Sequence, residues 1–146
     1  MDFLHLSTVP SGTTYTSDFV VQTLIPELES AIRTTRPIIG LSGTKLHWDN
    51  ARPHTSKLTT DTLAAKGLTI LQHPPYSPDL APCDFFLFGH IKQSLMGRQF
   101  ESSDEIVSAI TVIFSGFGNE RLYGVMEEWK NRLRTVIENH GEYYIK

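Results

Sequence analysis

Leu46-His47-Trp48-Asp49-Asn50-Ala51-Arg52-Pro53-His54 is the stretch on which the fold turns. Leu46 and Trp48 alternate with His47 and Asp49, and a period of two puts the apolar pair on one face of a strand and the polar pair on the other. The run from Lys45 to Asp49 therefore reads as a strand that delivers Asp49 at its end. Beyond it, a short helix within Thr55 to Lys66 is closed by Gly67, and Leu68-Thr69-Ile70-Leu71 reads as a buried strand. Strand, helix and strand in that order give an α/β reading, and later patterns make the C-terminal third helical.

Upstream, Asp2 to Ser7 reads as a short strand and Val9 to Thr16 as turns. From Ser17 to about Thr35, Val20 or Val21, Leu24, Leu28 and Ile32 recur at helical spacing. Pro26 removes a backbone donor and is expected to kink or restart that helix, and Arg36-Pro37 ends it. Downstream lies His73-Pro74-Pro75-Tyr76-Ser77-Pro78-Asp79-Leu80-Ala81-Pro82-Cys83-Asp84. Its prolines make a stiff loop, from which Asp84 emerges at the first turn of a helix striped by Phe85, Phe88, Ile91 and Leu95. Ser102 with Glu105 forms a capping-box pattern before Ile106, Val107, Ile110 and Ile113. Asn119 is expected to cap the last helix, whose stripe is Leu122, Val125, Met126, Trp129, Leu133 and Val136 or Ile137, ending before Gly141.

The 146 residues and their 40% hydrophobic content fit one domain, taken as 1–146. No run is long and apolar enough for a membrane span, and Met1 to Leu6 lacks the form of a secretion signal, so an intracellular protein with no membrane contact is expected. The single cysteine, Cys83, cannot form an internal disulfide. A net charge of −3 without a block of lysine or arginine counts against tight autonomous DNA binding, which draws its affinity from counterion release. Lys130, Arg132 and Arg134 could touch a phosphate backbone, although such a cluster is more often a solvated helix face.

Asp84 follows Asp49 by 35 positions. Carboxylates at strand and helix ends can hold a pair of magnesium ions, which stabilise the attacking and departing oxygens of a phosphodiester. An arbitrary pair of aspartates is more often a pair of caps or solvated charges. The flanking residues change that balance.

The chain closely resembles the catalytic domain of mariner-type transposases. The resemblance runs from about Phe3 to Lys146 and is most specific at Trp48 to His54 and His73 to Phe88, with Trp129-Lys130-Asn131-Arg132-Leu133 and Gly141-Glu142-Tyr143-Tyr144 adding to it. It implies an RNase H-like core that cuts transposon ends and joins the freed 3′ hydroxyl to target DNA with Mg2+ or Mn2+. It also implies that Asp49 and Asp84 are the second and third of the family's three metal-binding acids, set at the family's own interval. The first acid has no evident counterpart, so a core without its first strands, a partial metal site and no activity alone are expected. No N-terminal helix-turn-helix region is expected, DNA binding should be weak without it, and a eukaryotic host would place the protein in the nucleus.

Among the neighbours, Asn50 could orient Asp49 or its metal-bound water, although asparagine after a strand commonly forms a turn. His54 could contact phosphate or the active site, or equally cap the following helix. Asp79 misses the family interval and is assigned to loop stability. Tyr76, Phe85, Phe86 and Phe88 could stack on bases, but aromatics at helical spacing are usually core, and so is Trp129. Two other readings remain. One is a transposase-derived interaction module without catalysis, forming a homodimer through sheet edges or C-terminal helices. The other is a metal hydrolase using His47, His54 and His73, whose spacing matches no common zinc pattern.

Overall fold

Val20 N-terminal to Pro26 shows how one proline shapes the first helical segment. A computed structural model describes residues 5–141, which divide after His73 into two compact units. In the first, α1 (Ser17–Phe19) is capped by Thr16, whose Oγ1 accepts the Phe19 N–H, and α2 spans Ile25–Thr35. Between them Val20–Leu24 winds as a π-helix, and the Ile25 N–H reaches back five residues to the Val20 carbonyl. Pro26 has no N–H and its ring crowds the preceding turn, so a wider turn here restarts the helix without breaking it. The expected restart is thus a π-turn, and it moves the buried face. Val20, Ile25 and Ile32 are fully buried, whereas Leu24 and Leu28 are only half-buried. Arg36 ends α2 as expected.

The sheet of the described residues has two parallel strands, β1 (Lys45–His47) and β2 (Thr69–Leu71), with Leu46 opposite Ile70. They are joined through α3 (Arg52–Thr55) and α4 (Lys57–Ala65). Ser56 caps α4 by accepting the Thr59 N–H at 3.2 Å. Gly67, at φ +78°, closes it: the Gly67 N–H bonds the Ala64 carbonyl and the Leu68 N–H bonds the Leu63 carbonyl, both at 3.0 Å. Those paired bonds reverse the chain and bury Leu63 and Leu68 together beside Val20, Ile25, Ile32 and Leu41. Leu46, Trp48 and Ile70 pack against that core, as the alternation of the opening stretch requires.

The second unit begins with a 3-10 turn, Pro78–Leu80, followed by π-helical Cys83–Phe88 and then α5 (Gly89–Leu95). The π-turn again shifts the stripe: Phe85, Phe86 and Leu87 are half-buried while Phe88 is exposed, which corrects the even spacing expected there. Ser102 caps α6 (Ser103–Ser115) by accepting the Glu105 N–H, and Glu105 returns a carboxylate to the Glu101 N–H at 2.9 Å. In α7 (Asn119–Glu138) the N-cap is Gly118, one residue before the expected Asn119, and Val136 rather than Ile137 continues the inner stripe. Arg132 is the larger correction, because it is buried. Its Nη1 donates to the Asp79 carbonyl at 3.1 Å, its Nε to Glu128 at 3.0 Å, and its guanidinium lies 4.0 Å above the Phe85 ring. Trp129 Nε1 donates to the Leu80 carbonyl at 2.7 Å, so two α7 side chains hold the proline-rich loop. Phe86 packs beside Phe117 and His90, whereas Tyr76 is exposed.

Half of the strand expected over Asp2 to Ser7 lies outside the described residues, and its other half, His5 to Ser7, carries no regular structure, which corrects that expectation there. Glu142 to Tyr144 also lie outside them. No helix among the described residues is long and apolar enough to cross a membrane.

Candidate functional site

Two residues past the end of β1, the chain turns at Asp49. Asp49 Oδ1 accepts the Ala51 N–H at 3.0 Å, an Asx-type turn that leads into α3, where Pro53 suits the first helical turn. The same Oδ1 lies 2.6 Å from His54 Nδ1 on α3, and His54 Nε2 lies 2.9 Å from the Tyr15 hydroxyl. The Trp48 ring stacks on His54 with centroids 4.3 Å apart and planes 4° from parallel. His54 does not cap α4, since Ser56 does that; it occupies the space between Trp48, Tyr15 and Asp49.

Burial raises the Asp49 carboxyl, but the Ala51 N–H, the His54 hydrogen bond and the nearby His54 and His73 rings together outweigh it and hold the group below its ordinary value. The side chain is 61% exposed, so the result is an ionised carboxylate that is anchored and still open to solvent. Asn50 Nδ2 donates to the His73 carbonyl at 2.9 Å, tying the loop after β1 to the one after β2. That is a loop-forming use of asparagine. His47 Nε2 and His73 Nδ1 are 3.2 Å apart beside it. A cleft of about 230 Å³ opens here, lined by Trp48, Asp49, Asn50, His54, Gln72 and His73 among others. Asp49, Asn50 and His54 therefore share one cleft of the first unit.

Asp84 belongs to the second unit. It is exposed in the first turn of the π-helical segment, where its N–H bonds the Ala81 carbonyl at 2.9 Å. A helix start favours a negative side chain. Cys83 is exposed as a residue, yet burial of its thiol, and then the charge of Asp84, push its pKa up, which disfavours the thiolate. Asp79 supplies its backbone carbonyl to Arg132, in keeping with a role in the loop.

Among the described residues no cluster of three or more histidine, cysteine or acidic side chains is arranged to hold a metal. His47, His54 and His73 thus make no zinc-type set. Sequence reasoning missed Tyr15, which stands 39 residues before His54 in a segment read as turns, and no local pattern marks it.

Comparison with known proteins finds homologues of this chain in sequence and in structure. It is 27% identical over 141 residues to the Homo sapiens histone-lysine N-methyltransferase SETMAR, covering 97% of this chain and 21% of that protein. It is 30% identical over 95 residues to the Mariner Mos1 transposase of Drosophila mauritiana, covering 65% and 28%. The chain thus spans less than a third of either relative's length. No family model matches it. The Mos1 transposase catalytic domain solved with raltegravir and Mn superimposes with a TM-score of 0.85 at 26% identity, over 97% of this chain and 72% of that one. A Mos1 paired-end complex with the left transposon end gives a TM-score of 0.87 at 26% identity, over 99% and 42%. The same catalytic domain solved with Mg gives 0.81 at 27% identity, over 92% and 67%.

Proposed function

We propose, from the premise that this chain is homologous to the Mos1 mariner transposase and to SETMAR, that it carries the phosphodiester chemistry of a mariner-type transposase catalytic core. The fold is the RNase H-like α/β fold of the Mos1 catalytic domain with a helical C-terminal region. Asp49 and Asp84 are the metal-binding acids of this reading, and DNA is the partner, with a nuclear location if the host is eukaryotic. The observation that carries it is the Asp49 carboxylate, ionised, exposed and held in the turn two residues past β1.

The donor chemistry fits the ion. Magnesium and manganese prefer carboxylate and water oxygens, and magnesium is commonly held by one or two carboxylates while keeping several waters. When bound, such ions supply charge for the oxygens of the cleaved phosphodiester. The chain's own contribution is to keep Asp49 charged and oriented and to present Asp84 from a helix start. His54 holds Asp49 from α3, and Asn50 ties the loop that follows β1 to His73. Because the two motifs offer two acids where the family uses three, little strand cutting is expected of the chain alone.

Calorimetric titration of the full chain with Mn2+ tests this reading. Asp49→Asn and Asp84→Asn should each weaken binding by at least about 10-fold, the lower end of what even outer partners of a metal site contribute. Equal affinity in the wild type and Asp49→Asn overturns it. A second reading, an interaction module without catalysis, is favoured by one observation: neither outer edge of the β1–β2 pair carries a further strand among the described residues. A stable dimer by light scattering, together with no response to Mn2+, would support that alternative.

A further inference from the structure

Tyr15 is the side chain behind His54 for which neither motif accounts. It precedes the Thr16 cap of α1 and packs against the core of the first unit, with its ring centroid 5.7 Å from that of Phe19. Packing fixes the ring, and the hydroxyl meets His54 Nε2 at 2.9 Å. His54 in turn is held by Trp48 on its face and by the Tyr15 ring edge, leaving its side chain 15% exposed. Its Nδ1 and the Ala51 N–H both meet the same oxygen of Asp49.

We infer that Tyr15 and His54 form a positioning relay, in which the Tyr15 hydroxyl donates to His54 Nε2, His54 Nδ1–H donates to Asp49 Oδ1, and Oδ2 is the oxygen offered to a divalent cation. The inference rests on the reading of Asp49 as a metal-binding acid. An ionised carboxylate only accepts, so Nδ1 must carry the proton, and a neutral imidazole then leaves Nε2 as an acceptor. Tyr15 is the donor in place there. Burial, and then the charge of Asp49, push the phenol above its ordinary value, so it keeps the proton it donates. Without the hydroxyl the carboxylate alone selects that tautomer, and part of the population can move the proton to Nε2 by giving up the Asp49 contact. The partner of one imidazole nitrogen selects the state of the other, and outer partners of this kind orient metal ligands.

Nitrogen-15 NMR of the metal-free full chain reads the tautomer directly, with His54→Gln identifying the signals. The wild type should show His54 protonated on Nδ1, and Tyr15→Phe, which keeps the packed ring, should show a mixture. Mn2+ affinity should fall about 10-fold in His54→Ala and by a smaller factor in Tyr15→Phe. His54→Asn, whose amide can donate to Asp49, should bind better than His54→Ala. A wild-type ring protonated on Nε2 alone overturns the relay, and so does a Tyr15→Phe protein unchanged in both tautomer and affinity. If Asp49→Asn binds Mn2+ as the wild type does, the metal reading fails, while the metal-free tautomer still decides the relay.

Discussion

Asp49 is held below its ordinary pKa because two hydrogen-bond donors and two ring charges outweigh one desolvation cost, and that balance sets how it responds to acid. Its folded pKa lies below its unfolded value, so its stabilising contribution is complete above about pH 4, the unfolded value, and is lost as pH falls through the lower folded value. The stability gap between the wild type and Asp49→Asn, measured by urea midpoints, should therefore be widest near neutral pH and narrow below about pH 4. A gap that widens on acidification would mean that the carboxylate is not held in its charged form. The strand leading to Asp49 was legible, because alternation has a period of two. Yet β1 stops at His47, two residues short of the expected end, and Asp49 instead takes the Ala51 N–H and turns the chain. The Tyr15 contact was not legible, since a hydrogen bond across 39 positions leaves no mark on spacing.

Helix ends in this chain were legible to within a residue or two where a side chain does the capping. Ser102 and Gly67 behave as their types predict, and each can be tested. Replacing Ser102 by alanine should cost about 1 kcal/mol, read from chemical denaturation. Gly67→Ala should cost about 1 kcal/mol or more, because a Cβ at φ +78° is strained whatever the surrounding space. Leu63 is fully buried where α4 and its closing turn meet the core, so Leu63→Ala should cost about 2–5 kcal/mol by the same assay. Both π-helical segments escaped sequence reading. Each adds a residue to a turn, so apolar positions counted at α spacing drift off the buried face, as Leu24 and Phe88 do.

Over the whole molecule, the charge count sets an expectation for the proposed binding to DNA. A chain of net charge −3 releases few counterions, so its affinity for duplex DNA should be low and should fall only shallowly with salt. Fluorescence anisotropy across a salt series checks this, and a steep dependence would reveal a basic surface that the totals conceal. Arg132, read as part of a basic cluster, is used inside the second unit instead. Arg132→Ala should destabilise the protein by about 2–3 kcal/mol, because the Asp79 carbonyl loses its donor and Phe85 its cation. It should leave DNA affinity nearly unchanged.

The sequence by itself determined the order of elements from the first helical segment onward, the strand that leads to Asp49, the proline-rich loop before Asp84 and the resemblance to mariner transposases. These depend on local periodicity, on proline and glycine dihedrals and on contiguous motifs, all of which are written along the chain. The tertiary structure decided that His54 turns toward Asp49 rather than capping α4, that Tyr15 completes that contact, and that Arg132 is buried. Each of those outcomes depends on which distant side chain comes to lie opposite, and that is fixed by packing across the fold rather than by neighbours in sequence.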